Sequence, residues 1–426
     1  MKKPYSILFA TLIFIWGCST DTSYDPERSY SDIQKDLTAK FILAKDSSVI
    51  ELPEGHFLFD KSLSMEGKKH ITIKGKGIDK TILSFKGQTD GAEGLRITNC
   101  ENITLEDFTV EDAAGDNIKV MDTKNIAFRR MKVAWTGAID EDNGAYGFYP
   151  VMCSGVLIEE CESMGSSDAG LYVGQSENVV IRNNKVYQNV AGIESENSDN
   201  VEIYGNEVYD NTGGILVFNL PGLSRYGRNI KVYDNNVYSN NRNNFSVPGA
   251  IVGYVPAGTG MIILATSNVE VYNNSITDHK TAGISIVSYE LIKAMDEMDS
   301  EKPEDADLPA GVASFNSDYA SDVNYDPYPG RIYLHNNNYD NDKWIPDLNS
   351  DIGKLLLFKK GFKTPDIVID GILPDNYLAD NGQVNDLYKI CLDENEKVKF
   401  LYLDAENDFE GIHEDINSYQ CETSLL

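Results

Sequence analysis

The chain has 426 residues, 41% of them hydrophobic, and a formal net charge of -30. That length exceeds the usual ceiling of about 250–300 residues for one globular core, which leaves either several compact domains or one array growing in a single dimension. The 67 acidic against 37 basic residues exclude generic nucleic-acid binding, which needs basic surface to displace counterions, and the apolar content excludes wholesale disorder. The deficit is uneven. Residues 290–426 hold 30 acidic and 11 basic residues, against 37 and 26 in 1–289, which suggests a boundary near 290.

At the start, Lys2 and Lys3 precede an apolar run from Ile7 to Ile15, too short to span a bilayer. Gly17-Cys18-Ser19-Thr20 follows. A small residue directly before a cysteine, after an apolar run, resembles the bacterial lipobox. The resemblance implies a lipoprotein signal peptide over 1–17, lipidation of Cys18 and a linker over 18–30. Acyl chains would anchor the protein, since each buried CH₂ contributes roughly 0.8 kcal/mol. Ser19 and Thr20 after the cysteine imply the outer membrane of the cell envelope. An ordinary secretory signal with an incidental cysteine is the alternative. Export implies an oxidising compartment, in which Cys391 and Cys421 can close the acidic tail with a disulfide. Cys100, Cys153 and Cys161 fall inside repeats and read as buried small apolar residues. No zinc-type spacing is present.

From Asn102 onward, short runs alternate apolar with polar residues: NITLEDFTV, NIAFRRMKV, GVLIEECES, NVVIRNNKV, NVEIYGNEV, NIKVYDNNV and NVEVYNNSI. Their first apolar residues are Ile103, Ile126, Val156, Val179, Val201, Ile230 and Val269, in steps of 23, 30, 23, 22, 29 and 39 residues. A base period of 22–23 with longer insertions marks stacked repeats. Ile71 precedes the series, and Ile332 and Ile367 are expected to continue it. A second run lies just upstream of each anchor, as in GLRI at Gly94, NIKV at Asn117, GLYV at Gly170 and GIES at Gly192. Several short strands per repeat, with no helix between them, predict one coil of a parallel β-helix, with coils about 4.8 Å apart. Five residues after the anchors stand Phe108, Met131, Cys161, Asn184, Asn206, Asn235 and Asn274. The four asparagines are expected to stack as a hydrogen-bonded ladder on left-handed backbone, with the first three as apolar substitutes.

The region from about 48 to 289 resembles the right-handed parallel β-helix proteins of the pectin-lyase-like superfamily. VIELPEGHFLFDKSL and ITIKGKGIDKTILSF match the opening coils of that group, and SDIQKDLTAKFILAK is similar to its N-terminal amphipathic capping helix. The coils resemble those of exported β-helix-repeat lipoproteins. The expected architecture is all-β: about 9–11 coils, a capping helix, and a small C-terminal cap. The expected divisions are 31–289 for the capped β-helix, 290–330 for an acidic insertion projecting from one coil, and 331–426 for the last coils and acidic cap.

Stacking places equivalent residues in columns. The upstream strand should present Arg96, Lys119, Tyr149, Tyr172, Glu194 and Leu216 outward, with Thr98, Met121, Val151, Gly174, Glu196 and Phe218 beside them. Cations, tyrosines and carboxylates in one line suit a sugar polymer; the same columns also read as an ordinary solvated face. Acidic corners flank this strand at Glu111, Asp112, Asp116, Asp140, Glu141, Asp142 and Asp168. Asp168, Lys119 and Glu194 are the candidate catalytic residues, as proton-transfer groups and a cationic partner for a uronate carboxylate. Arg96, Tyr149, Tyr172 and Glu196 are the candidate substrate-binding residues. Asp168 also reads as an Asx-turn residue. No motif demands a cofactor or a metal, and Asp140-Glu141-Asp142-Asn143-Gly144 leaves calcium open. Lys119, Lys124, Arg129, Arg130 and Lys132 are expected to form a basic patch, and Arg225, Arg228 and Arg242 a rim.

The D-P-H-D run of alginate epimerases and the N-T-D, G-H-G and R-I-K runs of polygalacturonases are absent, so no known catalytic residue carries over. The expectation is an exported, lipid-anchored, monomeric β-helix protein that binds a polysaccharide and modifies it by lyase or epimerase chemistry. A non-catalytic scaffold or adhesion lipoprotein is the alternative.

Overall fold

The computed structural model describes residues 29–298, 308–309, 311–342, 345–361, 363–395 and 397–421. The expected signal peptide and Cys18 lie outside the described residues. The chain winds into a right-handed parallel β-helix of three all-parallel sheets with 11, 10 and 11 strands. Each coil adds one strand to each sheet in turn. Ala191–Glu196 lies in what we call the upstream sheet, Asp199–Tyr204 in the anchor sheet and Glu207–Tyr209 in the short sheet.

Register follows the repeat. Ile103 pairs with Ile126, Val156 with Val179, and Val201 with Ile230, so the anchors form one buried column. Ile332 continues it beside Val269. Ile367 does not. It pairs with Ile284 in the upstream sheet, and Ile390 takes the anchor position next to Ile332. The long insertion after Ile332 displaces the count, so spacing alone misplaced Ile367.

The asparagine ladder is present. Asn184 Nδ2 donates to Asn206 Oδ1, Asn206 to Asn235, Asn235 to Asn274 and Asn274 to Asn337, each at 2.9 Å. Cys161, Met131 and Phe108 fill the same corner at the other end. The left-handed residue is not the ladder asparagine but the one before it: Asn183, Gly205, Asp234 and Asn273 have φ of 54–66°. The turn is made by the exposed neighbour, which leaves the buried amide to bond along the stack. A second ladder, not anticipated, runs through Asn189, Asn211, Asn240, His279 and Asn341. His279 Nε2 lies 3.2 Å from Asn240 Nδ2 and its Nδ1 3.1 Å from Asn341 Oδ1. The amide donor on one side and the carbonyl acceptor on the other fix a neutral imidazole protonated on Nδ1.

The ends are closed, because an open coil exposes a sheet edge. Helix α1 (Gln34–Leu43) sets buried Leu37 and Phe41 on the first coil. At the far end Cys391 is bonded to Cys421, with Cα atoms 5.7 Å apart. Cys100, Cys153 and Cys161 are buried and unbridged. Helix α2 (Tyr289–Met298) opens the acidic insertion. The described part of that insertion does not project from its coil. It folds back over the upstream sheet: Ala250 bridges Ser314, Ile251 N–H donates to Ala313 O, and Tyr325 Oη donates to Asn219 O.

Two consequences are measurable. Asn206→Ala leaves the Asn184 amide without its acceptor in a dry corner and should cost roughly 3 kcal/mol in chemical denaturation. Exposed Lys231→Ala, on extended strand backbone, should cost under about 1 kcal/mol. Burial pushes the His279 pKa down to about 4. The unfolded chain takes that proton near pH ~6.5, so this stability is full above that pH and is lost as pH falls towards ~4. His279→Asn, which completes the ladder, should abolish a loss of roughly 3 kcal/mol over that window in denaturation at paired pH values.

Candidate active site

The upstream sheet carries the predicted columns in register. Arg96 pairs with Lys119, Lys119 with Tyr149, Tyr172 with Glu194, and Gly174 with Glu196. The side chains point away from the coil interior, yet most are buried. Tyr149 is 4% exposed, Tyr172 2%, Glu194 1%, Glu196 4% and Asp168 3%. The columns expected to face outward are therefore covered. The cover is built from α2, residues 311–325 and the insertions at 220–228 and 242–258. Phe315, Tyr319 and Tyr325 gather around Tyr289 and extend the apolar cluster that holds Tyr146, Tyr149 and Tyr172.

Within this layer the three tyrosine rings lie 4.4–4.9 Å apart between centroids. Tyr172 Oη donates to Glu196 Oε1 at 2.9 Å. Its ring passes over Gly174, where a Cβ would collide with the hydroxyl; this explains the glycine in an otherwise large column. Lys119 Nζ lies 3.3 Å from Asp116 Oδ2, 3.9 Å from Glu93 Oε1 and 4.5 Å from the Tyr149 ring centroid. Arg96 is exposed at the N-terminal end of the column.

Tyr146 was missed by period-2 alternation. Counting back from core Phe148 points it inward, but the strand start breaks the alternation and Tyr146 joins the outer cluster. A signal existed: its column is otherwise small, with Ala169, Ala191 and Gly213 in register. Tyr146 Oη lies 3.1 Å from Asp168 Oδ2 and 3.2 Å from the Gly311 carbonyl. One phenolic proton cannot serve both acceptors. A protonated Asp168 that donates to Tyr146, while Tyr146 donates to Gly311 O, satisfies both.

Electrostatics agree with that reading. Burial pushes Asp168 up to about 8, reinforced by Glu196 and Asp116 and opposed by the Tyr146 hydrogen bond. Burial raises Glu196 to about 7 against its bond from Tyr172. Glu194 is driven well above the carboxylate range by burial and by Asp168 and Glu196. Burial takes Asp116 to about 7 although Lys119 favours its anion. Asp168 Oδ1 and Glu194 Oε2 are buried without a hydrogen-bond partner among the described residues.

The expected basic patch does not exist as one surface. Lys124 and Arg129 lie on the anchor sheet, Lys132 on the short sheet and Lys119 on the upstream sheet. Arg129 pairs with Glu159, Arg130 with Asp107 at 2.7 Å, and Lys132 with Glu162 at 2.7 Å. Arg225, Arg228 and Arg242 pair with Glu177, Asp199 and Asp210 and do not form one rim. Asp140, Glu141 and Asp142 lie on a turn, and no group of three or more His, Cys, Asp or Glu among the described residues could hold a metal ion.

A thermal test follows from the raised carboxyls. The folded state keeps protons that the unfolded chain releases above pH ~4, so these carboxyls make stability fall as pH rises from ~4 through the folded value of about 8 for Asp168. Glu194→Gln and Asp168→Asn each remove one ionisation and keep the shape. Both should flatten this decline and melt several degrees above the unsubstituted protein at the alkaline end, read as Tm against pH.

Residues 62–222 match the family model described as right handed beta helix region. No curated protein matches the chain. Among solved structures, the A-module of the Azotobacter vinelandii mannuronan C-5 epimerase AlgE4 is 13% identical, with 86% of this chain and 92% of that one covered and a TM-score of 0.51. The A-module of AlgE6 from the same organism is 13% identical over 88% and 92%, with a TM-score of 0.48. An exopolygalacturonase from Thermotoga maritima is 12% identical over 61% and 72%, with a TM-score of 0.37. These likenesses are of fold. By its stacked parallel sheets and the matched repeat region, the chain carries the right-handed parallel β-helix fold.

Proposed function

We propose that this chain is a polysaccharide-acting β-helix protein that moves a proton at the C5 carbon of a uronate residue. The observation that carries the reading is the convergence of Tyr146, Tyr149 and Tyr172 with Asp168, Glu194 and Glu196 on the outer columns of the upstream sheet. The fold shared with a mannuronan C-5 epimerase is in keeping with it. Asp168 is the base. Displacement of Gly311 by sugar returns the Tyr146 proton towards Asp168, which favours the aspartate anion. Asp168 then takes the C5 proton, and the electron pair passes into the sugar carboxylate. A solvent water then delivers a proton to C5 on the opposite face, which gives the epimer, and Asp168 passes the proton it took to the hydroxide left behind. Alternatively, the pair moves to C4, the C4–O4 bond breaks and Tyr146 protonates O4, which gives an unsaturated uronate. Lys119 holds Asp116 and Tyr149 in place beside this group.

The same proposal places the protein in the cell envelope, exported as a monomer and anchored to the outer membrane through lipid on Cys18. Residues 1–20 are the support for that part. Among the described residues no helix is long and apolar enough to cross a membrane. A non-catalytic surface scaffold is the competing reading, favoured by the closure of the cluster beneath residues 311–325.

The test is incubation of the protein with polymannuronate, polygalacturonate and neutral glycans. Ultraviolet absorbance reports an unsaturated uronate, and deuterium uptake at C5 in heavy water reports epimerisation. We expect one of these signals on a uronate polymer only, rising with pH as Asp168 ionises. Asp168→Asn should lower it by about 100-fold or more. No turnover and no binding on any glycan would sink the proposal in favour of the scaffold.

A further inference from the structure

We propose that the carboxyl of Glu194, in its protonated form, is the donor that receives the uronate carboxylate. The substrate is thus recognised by an acid–carboxylate hydrogen bond and not by an ion pair. This rests on the function proposed above and names the feature of the substrate that the site selects.

The cations expected to meet a uronate are in the wrong place. Lys119 is engaged by Asp116 and Glu93. It stands three coils from Glu194, through Tyr149 and Tyr172, or about 14 Å at the coil spacing. Arg96 is one coil further away. Around Glu194, the same strand presents Glu196, the preceding one Tyr172 and Asp168, and the one before that Tyr146 and Tyr149. The following strand presents apolar Leu216 and Phe218, and the described covering segment presents the Gly311 carbonyl to Tyr146. Among the described residues no cation stands with these groups, and Lys293 of α2 in the cover lies over the Tyr319 ring.

Glu194 Oε2 is nevertheless buried without a partner among the described residues. An anion there would be desolvated between two further carboxyls with nothing to offset it. A proton on Glu194 removes that penalty, and burial together with Asp168 and Glu196 holds it in place. The result is an O–H donor without an acceptor. A carboxylate is the strongest acceptor a sugar carries, and hydrogen bonds to ionised groups are roughly twice as strong as neutral ones. An ammonium sugar would require the opposite protonation state, and a neutral sugar offers only hydroxyls. The geometry also accounts for catalysis without a nearby cation. Charge built up on the sugar carboxylate as C5 loses its proton strengthens the same hydrogen bond.

The experiment is calorimetric titration of the full chain with three oligosaccharides: an oligouronate, its carboxyl-reduced counterpart and a glucosamine oligomer. Each is titrated at several pH values from ~6 to ~9. We expect the oligouronate alone to bind, weakening by up to about tenfold per pH unit once Glu194 itself ionises. Glu194→Gln retains an N–H donor at every pH, so its affinity should persist at the alkaline end where the unsubstituted protein has lost it. Circular dichroism and Tm verify that this isosteric variant is folded. Oligouronate binding that is indifferent to pH, or lost in folded Glu194→Gln, would overturn the inference and leave the proposed function standing. Preference for the reduced or the glucosamine oligomer would overturn both the inference and the proposed function. Absence of binding to any of the three at every pH would overturn both.

Discussion

Everything in this molecule depends on vertical register. The backbone of each coil bonds to its neighbours through parallel ladders, and a slip of one residue would turn every side chain to the opposite face. The buried amide ladders resist that slip. Asn206 accepts from Asn184 and donates to Asn235, so a shift of either neighbour leaves polar groups unpaired in a dry corner. Fixed register converts a one-dimensional repeat into two-dimensional columns. Tyr172, Glu194 and Leu216 come from sequence positions 22 residues apart, yet stand side by side. The candidate site is therefore a property of the stack and of no single loop.

Register is also why so much of the fold was legible. The anchors Val179, Val201 and Ile230 repeat because each must fill the same slot, and Asn184, Asn206 and Asn235 repeat because each bonds the next. What failed failed where repetition stops. Ile367 was misassigned because a long excursion separates it from Ile332. The second ladder went unseen because His279 interrupts it, although an imidazole can bond on both sides as an amide does. Tyr146 went unseen because the strand begins out of phase. Closure of the groove was beyond the columns altogether. It comes from residues 311–325, which bear no repeat and touch the site only because the chain doubles back.

That closure changes what the acidic residues are. On an open face, Asp168, Glu194 and Glu196 would be ordinary ionised carboxylates. Under cover, burial favours their protonated forms, so a strongly acidic chain buries a cluster of hydrogen-bond donors. The net charge of -30 thus describes the surface and not the cluster. The cations counted in the sequence as a patch are divided among three faces by the same winding that gathers the acids onto one.

The contact between Tyr146 and Gly311 joins residues 165 apart in sequence, whereas coil neighbours are joined across a single repeat. Closing a long loop carries more chain entropy than closing a short one, and contacts of long range form late. The stack can grow turn by turn as the chain emerges from its N-terminal end, with α1 sealing the first coil. The roof over the carboxyls can be laid only after the segment beyond Val287 has been made. During that interval the acids face water and are ionised, and they take up their protons as the roof comes down. Completion of this fold is thus itself a proton-binding step, and its last stage should be sensitive to the acidity of the compartment in which the chain matures.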